Sequence, residues 1–202
     1  MFQELIWVKK NSLDESFCEG MMKKFDIDPH KETGKVDQNN PRVDKELKIT
    51  MDMGITWQPE WKEEDKVLFD ALQIALDNYE EHLENLSNKM CDVGWKMHPS
   101  HSYAIKDTGY KIQKYEPNGY YNWHHDWCMH KGWTRIYTYI WYLNTIDEKD
   151  GGWTEFIDGT RIHPECGSIL FFPATWTYVH RGTETKVPKY IVNGWIYARP
   201  RT

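Results

Sequence analysis

Residues 115–126 read Tyr-Glu-Pro-Asn-Gly-Tyr-Tyr-Asn-Trp-His-His-Asp and contain a turn followed by a histidine–carboxylate pair. The turn residues at 117–119 separate two runs of β-forming residues, so residues 120–126 are predicted to form a strand. Side chains two positions apart on a strand share a face, and adjacent ones point to opposite faces. His124 and Asp126 are therefore predicted to converge, whereas His125 points away.

The sequence around this stretch is rich in further strand signals. From Tyr103 onward, short β-branched and aromatic runs alternate with turn residues, which is typical of a β-sandwich or barrel. The predicted strands are residues 103–107, 110–115, 120–126, 134–143, 153–156, 160–162, 168–172, 177–181 and 189–197.

The first hundred residues contain sequence patterns typical of helices. Ser12 with Glu15 three positions later forms a capping-box pattern, which predicts a helix running to about Phe25, with Asn11 as the alternative N-cap. Apolar residues recur at helical spacing through 62–90 and predict a second, longer helix. Because helices precede strands, the predicted fold class is α+β, with helices supporting a mostly antiparallel β core.

Two shorter features complete the N-terminal half. An apolar run predicts a strand over residues 2–8. Residues 28–60 are rich in Pro, Asp, Asn and Gly, which predicts a loop with a hairpin around 47–53. We also expect this loop, together with residues 127–133, to contribute a lid over the substrate.

Length and charge limit the classes of protein that fit. A chain of 202 residues suits one domain, predicted over 1–202, with a helical and loop part at 1–100 and the β core at 101–202. Charged residues make up 28% and hydrophobic residues 40%, as in globular proteins. A net charge of −6 without a basic stripe argues against a nucleic-acid partner.

The cysteines and the N-terminus bear on location. Cys18, Cys91, Cys128 and Cys166 form no CxxC pair, which argues against a structural zinc site and favours reduced thiols. No run approaches the ~18 apolar residues of a membrane span, and no signal sequence is apparent. We therefore expect a soluble, cytoplasmic protein without a membrane partner.

The candidate chemistry depends on three further residues. His180 lies 54 residues beyond Asp126, near the end of a predicted strand. Nine residues later, Lys189 opens a strand whose alternation places Lys189, Asn193 and Trp195 on one face. Two histidines and one carboxylate occupy one side of an octahedron and leave three positions open, which is the arrangement of non-haem Fe(II) oxygenases. A buried lysine beside such a site can pair with the carboxylate of an organic diacid.

These segments occur in an order that resembles a known family. The region from about Tyr110 to Tyr197 is similar to the prolyl 4-hydroxylase-like branch of the 2-oxoglutarate/Fe(II) dioxygenases, which have a double-stranded β-helix (jelly-roll) core. The similar segments are residues 115–126, 138–144, 151–156 and 167–173, followed by His180 and Lys189. The N-terminal hundred residues match only as flanking helices.

The resemblance implies roles for individual residues. His124, Asp126 and His180 would be the catalytic iron ligands, and Lys189, assisted by Tyr142, would bind the C5 carboxylate of 2-oxoglutarate. The other residues implied near the co-substrate are Tyr115, Thr138, Asn193 and Trp195. Lysine stands here at an anchor position where arginine also occurs in the family, and it gives a point contact instead of a bidentate fork.

The implied activity is hydroxylation of a C–H bond. It would require Fe(II), 2-oxoglutarate and O2, with ascorbate as a candidate reductant, and would release succinate and CO2. The resemblance favours proline in a peptide or protein as the substrate. A free amino acid, another protein side chain or a small metabolite remains open, as does the oligomeric state.

Several readings compete with this one. The domain could be a non-catalytic jelly-roll binding module that retains a metal site, or a zinc hydrolase. Lys189 could be a strand-edge lysine that discourages aggregation, and Tyr142 could pack in the core. Arg135 is expected at the surface, and Trp127 or Trp133 is expected to contact substrate.

Overall fold

The structure is a computed structural model that describes residues 2–37, 40–90 and 102–201. Cys91 lies outside these residues. The α-helices in the described ranges are α1 (Glu15–Ile27) and α2 (Lys62–Met90). The strands are β1 (Trp7–Lys9), β2 (Glu32–Thr33), β3 (Lys48–Ile49), β4 (Met51–Gly54), β5 (Tyr103–Asp107), β6 (Lys111–Tyr115), β7 (Tyr120–His124), β8 (Met129–His130), β9 (Trp133–Tyr142), β10 (Thr154–Phe156), β11 (Arg161–Ile162), β12 (Ile169–Pro173), β13 (His180–Gly182) and β14 (Lys189–Pro200).

Within the described residues, the strands form two sheets. The larger has the order β1-β12-β9-β14-β6-β4-β2, with β5 also paired to β14 and β8 to β9. The smaller has the order β11-β10-β13-β7-β3. Every pairing between these strands is antiparallel, which confirms the predicted mostly antiparallel β core.

The larger sheet separates two hydrophobic clusters. One face packs against the helices, where Tyr79 of α2 stacks on Phe171 with ring centroids 5.1 Å apart. The other face packs against the smaller sheet, where Phe172 meets Phe156 edge-on at 5.0 Å. Because strand side chains alternate, neighbouring residues such as Phe171 and Phe172 belong to different clusters. The face turned toward the smaller sheet is the one available to a site between the sheets.

The predicted strands and helices from residue 62 onward agree with the structure apart from their ends. The chief difference among the strands is that β13 begins at His180, whereas the prediction placed His180 near the end of a strand. Strand β8 was not predicted. The long helix spans the predicted residues 62–90.

The N-terminal predictions need three corrections. Residues 2–8 form a 3-10 turn at Gln3–Leu5 and then β1 at Trp7–Lys9, instead of one strand. The N-cap of α1 is Asp14, and not the predicted Ser12 or Asn11. The Ser12 hydroxyl instead accepts a hydrogen bond from the Trp141 indole 3.0 Å away. The helix therefore starts later than the capping-box pattern predicts, because a tertiary contact takes the side chain that would cap it.

The third correction concerns the predicted hairpin at residues 47–53. Strands β3 and β4 do not pair with each other: β3 pairs with β7 of the smaller sheet, and β4 pairs with β6 of the larger sheet. The chain turns from one sheet to the other at Thr50, which lies between them. This crossing segment joins the two sheets along one side of the space between them.

None of the helices in the described part of the chain is long and apolar enough to cross a membrane. The assignment of the whole chain to a single domain stays a prediction.

Candidate metal and co-substrate site

Three side chains converge between the sheets. His124 ends β7, Asp126 lies two residues beyond it, and His180 opens β13 directly opposite His124 in the strand register. The Nε2 atoms of His124 and His180 lie 3.9 and 3.6 Å from the two carboxylate oxygens of Asp126. All three ligand atoms lie within 4.8 Å of one another, a spacing that one metal ion could bridge.

Backbone contacts set the orientation of both imidazoles. Nδ1 of His124 lies 2.7 Å from the carbonyl oxygen of Asn122, and Nδ1 of His180 lies 3.0 Å from that of Tyr178. A carbonyl can only accept, so each Nδ1 must carry a proton, and in the neutral imidazole this leaves the lone pair on Nε2. Both Nε2 lone pairs are therefore free to bind a metal.

The Asp126 carboxylate is held in place and ionised. Thr138 on β9 donates a hydrogen bond to Oδ2 of Asp126 at 2.8 Å. Burial alone would raise the pKa of Asp126, but the adjacent His180 and His124 outweigh burial and lower that pKa. Burial, followed by the proximity of His180, lowers the pKa of His124 and keeps its imidazole neutral. A carboxylate and neutral imidazoles are the protonation states that metal binding requires.

Aromatic rings enclose the two histidines. Tyr121 stacks on His124 with centroids 3.6 Å apart, and Phe172 and Phe156 pack on His180 at 4.7 and 5.8 Å. The His180 side chain is only 4% exposed and that of Asp126 10%. The rings limit the movement of the ligands and keep water away from the inner side of the site.

Lys189 supplies an unpaired cation beside the triad. Its side chain is buried, its Nζ donates to the carbonyl oxygen of Gly152 at 2.9 Å, and it lies 4.4 Å above the ring of Tyr115. Among the residues that the structure describes, no carboxylate forms an ion pair with Lys189. Burial lowers the pKa of Lys189 to about 7, so an anion at this position would restore its charge. The burial of Lys189 argues against the alternative that it is a strand-edge lysine that discourages aggregation.

The triad and Lys189 line one cavity of about 700 Å³ between the sheets. The predicted residues Tyr115, Thr138, Asn193 and Trp195 also lie on its wall. Tyr142 is the exception, because its hydroxyl lies 2.7 Å from that of Thr154, and Thr154 forms the wall in front of it. The predicted shared face of Lys189, Asn193 and Trp195 is thus the face that lines the cavity.

The wall includes polar groups that the sequence reasoning missed. Lys48 and Asp52 form a buried ion pair at 2.6 Å, and Gln113 donates to the same carboxylate at 3.2 Å. No short motif marks these residues, since they come from a segment with loop-like composition. The only available signal was an alternation of polar residues between 48 and 52.

Arg135 was predicted at the surface, and the structure corrects this. It is buried, with its guanidinium 3.6 Å above the ring of Trp195. It also donates to the backbone carbonyl of Asp126 at 3.1 Å. Of the two candidate substrate tryptophans, Trp127 lines the cavity, whereas Trp133 packs between the cationic groups of Lys106 and Arg199 away from it.

The donor set fits Fe(II) and a dicarboxylic keto acid. Two imidazole nitrogens and one carboxylate are ligands that Fe(II) accepts while keeping positions open. Within the described residues, the amide oxygen of Asn193 and the indole nitrogen of Trp195 are buried without a hydrogen-bond partner. The Trp195 indole N–H and the Lys189 ammonium are donors that suit an anionic ligand, and the Asn193 amide oxygen can accept from a donor of that ligand.

The part of the chain that carries the site matches a known protein family. Residues 110–197 match the sequence model of the 2OG-Fe(II) oxygenase superfamily. No curated protein sequence shows significant similarity to the chain. The matched residues contain the complete triad and Lys189, so this part of the chain is similar to the 2OG-Fe(II) oxygenases. Fe(II), 2-oxoglutarate and O2 are the co-reactants of this family.

Solved structures share the fold across nearly the whole chain. The viral collagen prolyl hydroxylase from Paramecium bursaria Chlorella virus-1, determined with 2-oxoglutarate, is 18% identical with a TM-score of 0.64, covering 96% of both chains. A prolyl hydroxylase from Trichoplax adhaerens, in complex with a hypoxia-inducible-factor peptide fragment, is 16% identical with a TM-score of 0.75, covering 96% of this chain and 84% of that one. A prolyl-4-hydroxylase from Pseudomonas putida is 15% identical with a TM-score of 0.63, covering 98% and 93%. These similarities confirm the double-stranded β-helix fold.

The contact between Thr138 and Asp126 yields a prediction. We expect Thr138→Val, which removes the hydroxyl but keeps the shape, to weaken Fe(II) binding by about 10- to 100-fold, since a partner of a metal ligand is lost. Anaerobic Fe(II) titration measures this, with Thr134→Val on the same strand outside the cavity as the control. Equal affinities for the two variants would contradict the role of Thr138.

Proposed function

We propose that this protein is a 2-oxoglutarate- and Fe(II)-dependent oxygenase of the prolyl 4-hydroxylase-like type. It would hydroxylate a proline residue of a peptide or protein, with Fe(II) held by His124, Asp126 and His180. The observation that carries the proposal is the convergence of this triad and the unpaired Lys189 on one cavity wall. The complete ligand set favours an oxygenase over a non-catalytic binding module. A zinc hydrolase would leave the buried Lys189 without a purpose.

A peptide substrate is supported by the shape of the cavity. The cavity wall extends from the metal ligands to Trp57, which is 95% exposed, and includes the half-exposed Trp127. An extended chain could therefore lie across aromatic surface while one residue reaches the metal. The structurally similar Trichoplax adhaerens enzyme was determined with a peptide fragment. The cytoplasmic location stays a prediction. The role of residues 28–60 and 127–133 as a lid over the substrate also stays a prediction.

The residues of this chain would act by holding and orienting. When bound, Fe(II), 2-oxoglutarate and O2 supply the oxidising chemistry that hydroxylates a C–H bond and releases succinate and CO2. Lys189 would hold the C5 carboxylate of 2-oxoglutarate, and the oriented Nε2 atoms and Asp126 would hold the metal. Thr138 keeps the carboxylate in place, while Tyr121, Phe156 and Phe172 exclude water around the ligands.

The test combines a spectrum with a product. Anaerobic addition of Fe(II) and 2-oxoglutarate should produce the ~500 nm charge-transfer band of a chelated keto acid. With O2 and a panel of synthetic peptides that each carry one proline, we expect succinate release and a peptide mass increased by one oxygen atom. A band without modification of any peptide would overturn the substrate class, and the absence of the band would overturn the assigned site.

The buried Lys189 predicts a pH dependence. Its pKa of about 7 in the free protein should rise when the C5 carboxylate binds, so above about pH 7 binding takes up a proton. The affinity for 2-oxoglutarate should therefore be fully present below pH 7 and weaken by up to about tenfold per pH unit above it. Pyruvate, which has the keto acid group but no distal carboxylate, is the control. Identical pH profiles for the two acids would contradict the prediction.

A further inference from the structure

The metal and 2-oxoglutarate sites described above leave one buried polar group of the cavity wall without an assigned role. It consists of Lys48, Thr50, Asp52 and Gln113, here called the crossing cluster because it lies where the chain passes between the sheets. The carboxylate of Asp52 accepts from Lys48 at 2.6 Å, Thr50 at 2.7 Å and Gln113 at 3.2 Å. Asp52 is thus fully satisfied and fixed by three donors.

Lys48 is not satisfied in the same way. Its ammonium has three N–H groups, and within the described residues only Asp52 accepts from it. The residue is 2% exposed, yet it lines the cavity. Because the side chain lines the cavity wall, its remaining N–H groups are available to donate to an acceptor on a molecule bound there.

The position of Lys48 connects it to the reaction centre. Its Nζ lies 5.0 Å from the ring centroid of Tyr121, and this ring stacks on the metal ligand His124 at 3.6 Å. Lys48 therefore lies one aromatic ring away from the metal position. Lys189, the proposed anchor for 2-oxoglutarate, contacts a different ring, that of Tyr115.

The charge of the cluster limits what Lys48 can bind. Asp52 already pairs with the ammonium at 2.6 Å and balances its charge. A second carboxylate on Lys48 would bring like charges together in a poorly solvated site, which is costly. A neutral acceptor, such as an amide carbonyl, completes the hydrogen bonds without adding charge.

We propose that Lys48, held in position by Asp52, is a substrate-binding residue that donates a hydrogen bond to a backbone carbonyl oxygen next to the hydroxylated residue. The proposal rests on the proposed function, because it assumes a peptide substrate. The crossing cluster would then set the depth and direction in which the substrate chain passes the metal. Asp52 acts through Lys48 as a positioning residue.

The test removes the pair without leaving a buried charge. Lys48→Met combined with Asp52→Asn is neutral and similar in volume, which avoids the penalty of an unpaired ion. The matched control is Lys66→Met with Asp70→Asn, an exposed pair of the same spacing on α2 with a 2.7 Å contact. The probe is the peptide of the single-proline panel that the wild-type protein hydroxylates fastest, with KM and kcat determined for it and KM for 2-oxoglutarate.

We expect the cavity double variant to raise the peptide KM by about 10- to 100-fold, as for the loss of a hydrogen bond to a charged group. The kcat and the KM for 2-oxoglutarate should change less than about threefold, as should all three values in the control. A peptide KM that moves less than about threefold, or equal losses in all three values, would overturn the proposal.

A second measurement uses the wild-type protein and needs no variant to fold. Each C=O flanking the hydroxylated residue is replaced in turn by CH2 in the peptide. One position should raise KM about tenfold or more, and a scan without such a position would overturn the proposal. Failure of the wild-type protein to modify any panel peptide would remove the proposed substrate class, and this inference with it.

Discussion

Replacement of His180 by alanine is expected to abolish Fe(II) binding and hydroxylation together. The Nε2 atom of His180 is one of three ligand atoms within 4.8 Å of one another, and its loss leaves only His124 and Asp126. Loss of a partner behind a ligand costs about 10- to 100-fold in affinity, so loss of the ligand itself should cost at least about 100-fold. Anaerobic titration should show neither tight Fe(II) binding nor the keto-acid band.

The neighbour of a ligand provides the control for this variant. His125 adjoins His124 in sequence and also lines the cavity, but it is exposed and is not one of the three converging side chains. His125→Ala should therefore keep Fe(II) affinity and the keto-acid band. If the band persists in His180→Ala or disappears in His125→Ala, the ligand assignment is wrong.

Replacement of Lys189 by methionine is expected to separate metal binding from 2-oxoglutarate binding. Methionine retains the length of the side chain but cannot pair with a carboxylate. Loss of one partner of a buried, hydrogen-bonded charge pair costs about 2 kcal/mol or more, so the KM for 2-oxoglutarate should rise at least roughly 30-fold. Fe(II) affinity should remain, because Lys189 is not a metal ligand.

Two controls isolate the contribution of Lys189. Lys186→Met removes an exposed lysine three residues away, whose Nζ contacts the carbonyl oxygen of Lys149, and should leave kinetics unchanged. Pyruvate, which lacks the distal carboxylate, should bind the wild-type and Lys189→Met proteins with similar affinity. A KM for 2-oxoglutarate within threefold of wild type would exclude Lys189 as the anchor.

Strand periodicity made much of the site predictable. The two-residue repeat correctly placed Lys189, Asn193 and Trp195 on one face, because β14 is long and keeps its register with β9 from Ile191 to Ile196. It also favoured His124 over His125, although β7 ends at His124 and Asp126 lies in the segment beyond it. The conclusion survived because the two ligand atoms still converge.

The parts that could not be predicted depend on distant pairings. Asp52 meets Gln113 across 61 positions of sequence, and β3 is only two residues long, too short for a periodic signal. Ser12 matched a capping pattern, but its hydroxyl contacts Trp141, 129 positions away. The sequence predicted a surface position for Arg135, because the Trp195 ring that packs on its guanidinium comes from another strand. Tertiary packing determines these contacts, and local sequence propensity does not predict them.

The alternation of side chains along β14 limits which mutations this protein can accept during evolution. Lys189, Ile191, Asn193 and Trp195 face the cavity, while Tyr190 and Val192 belong to the cluster packed against the helices. Insertion or deletion of a single residue before this strand's centre would exchange the two sets, moving the lysine into the helix interface and apolar groups into the cavity. Evolution can therefore replace single residues of this strand one at a time, but it cannot change the length of the strand. Surface loops, in contrast, tolerate changes in length.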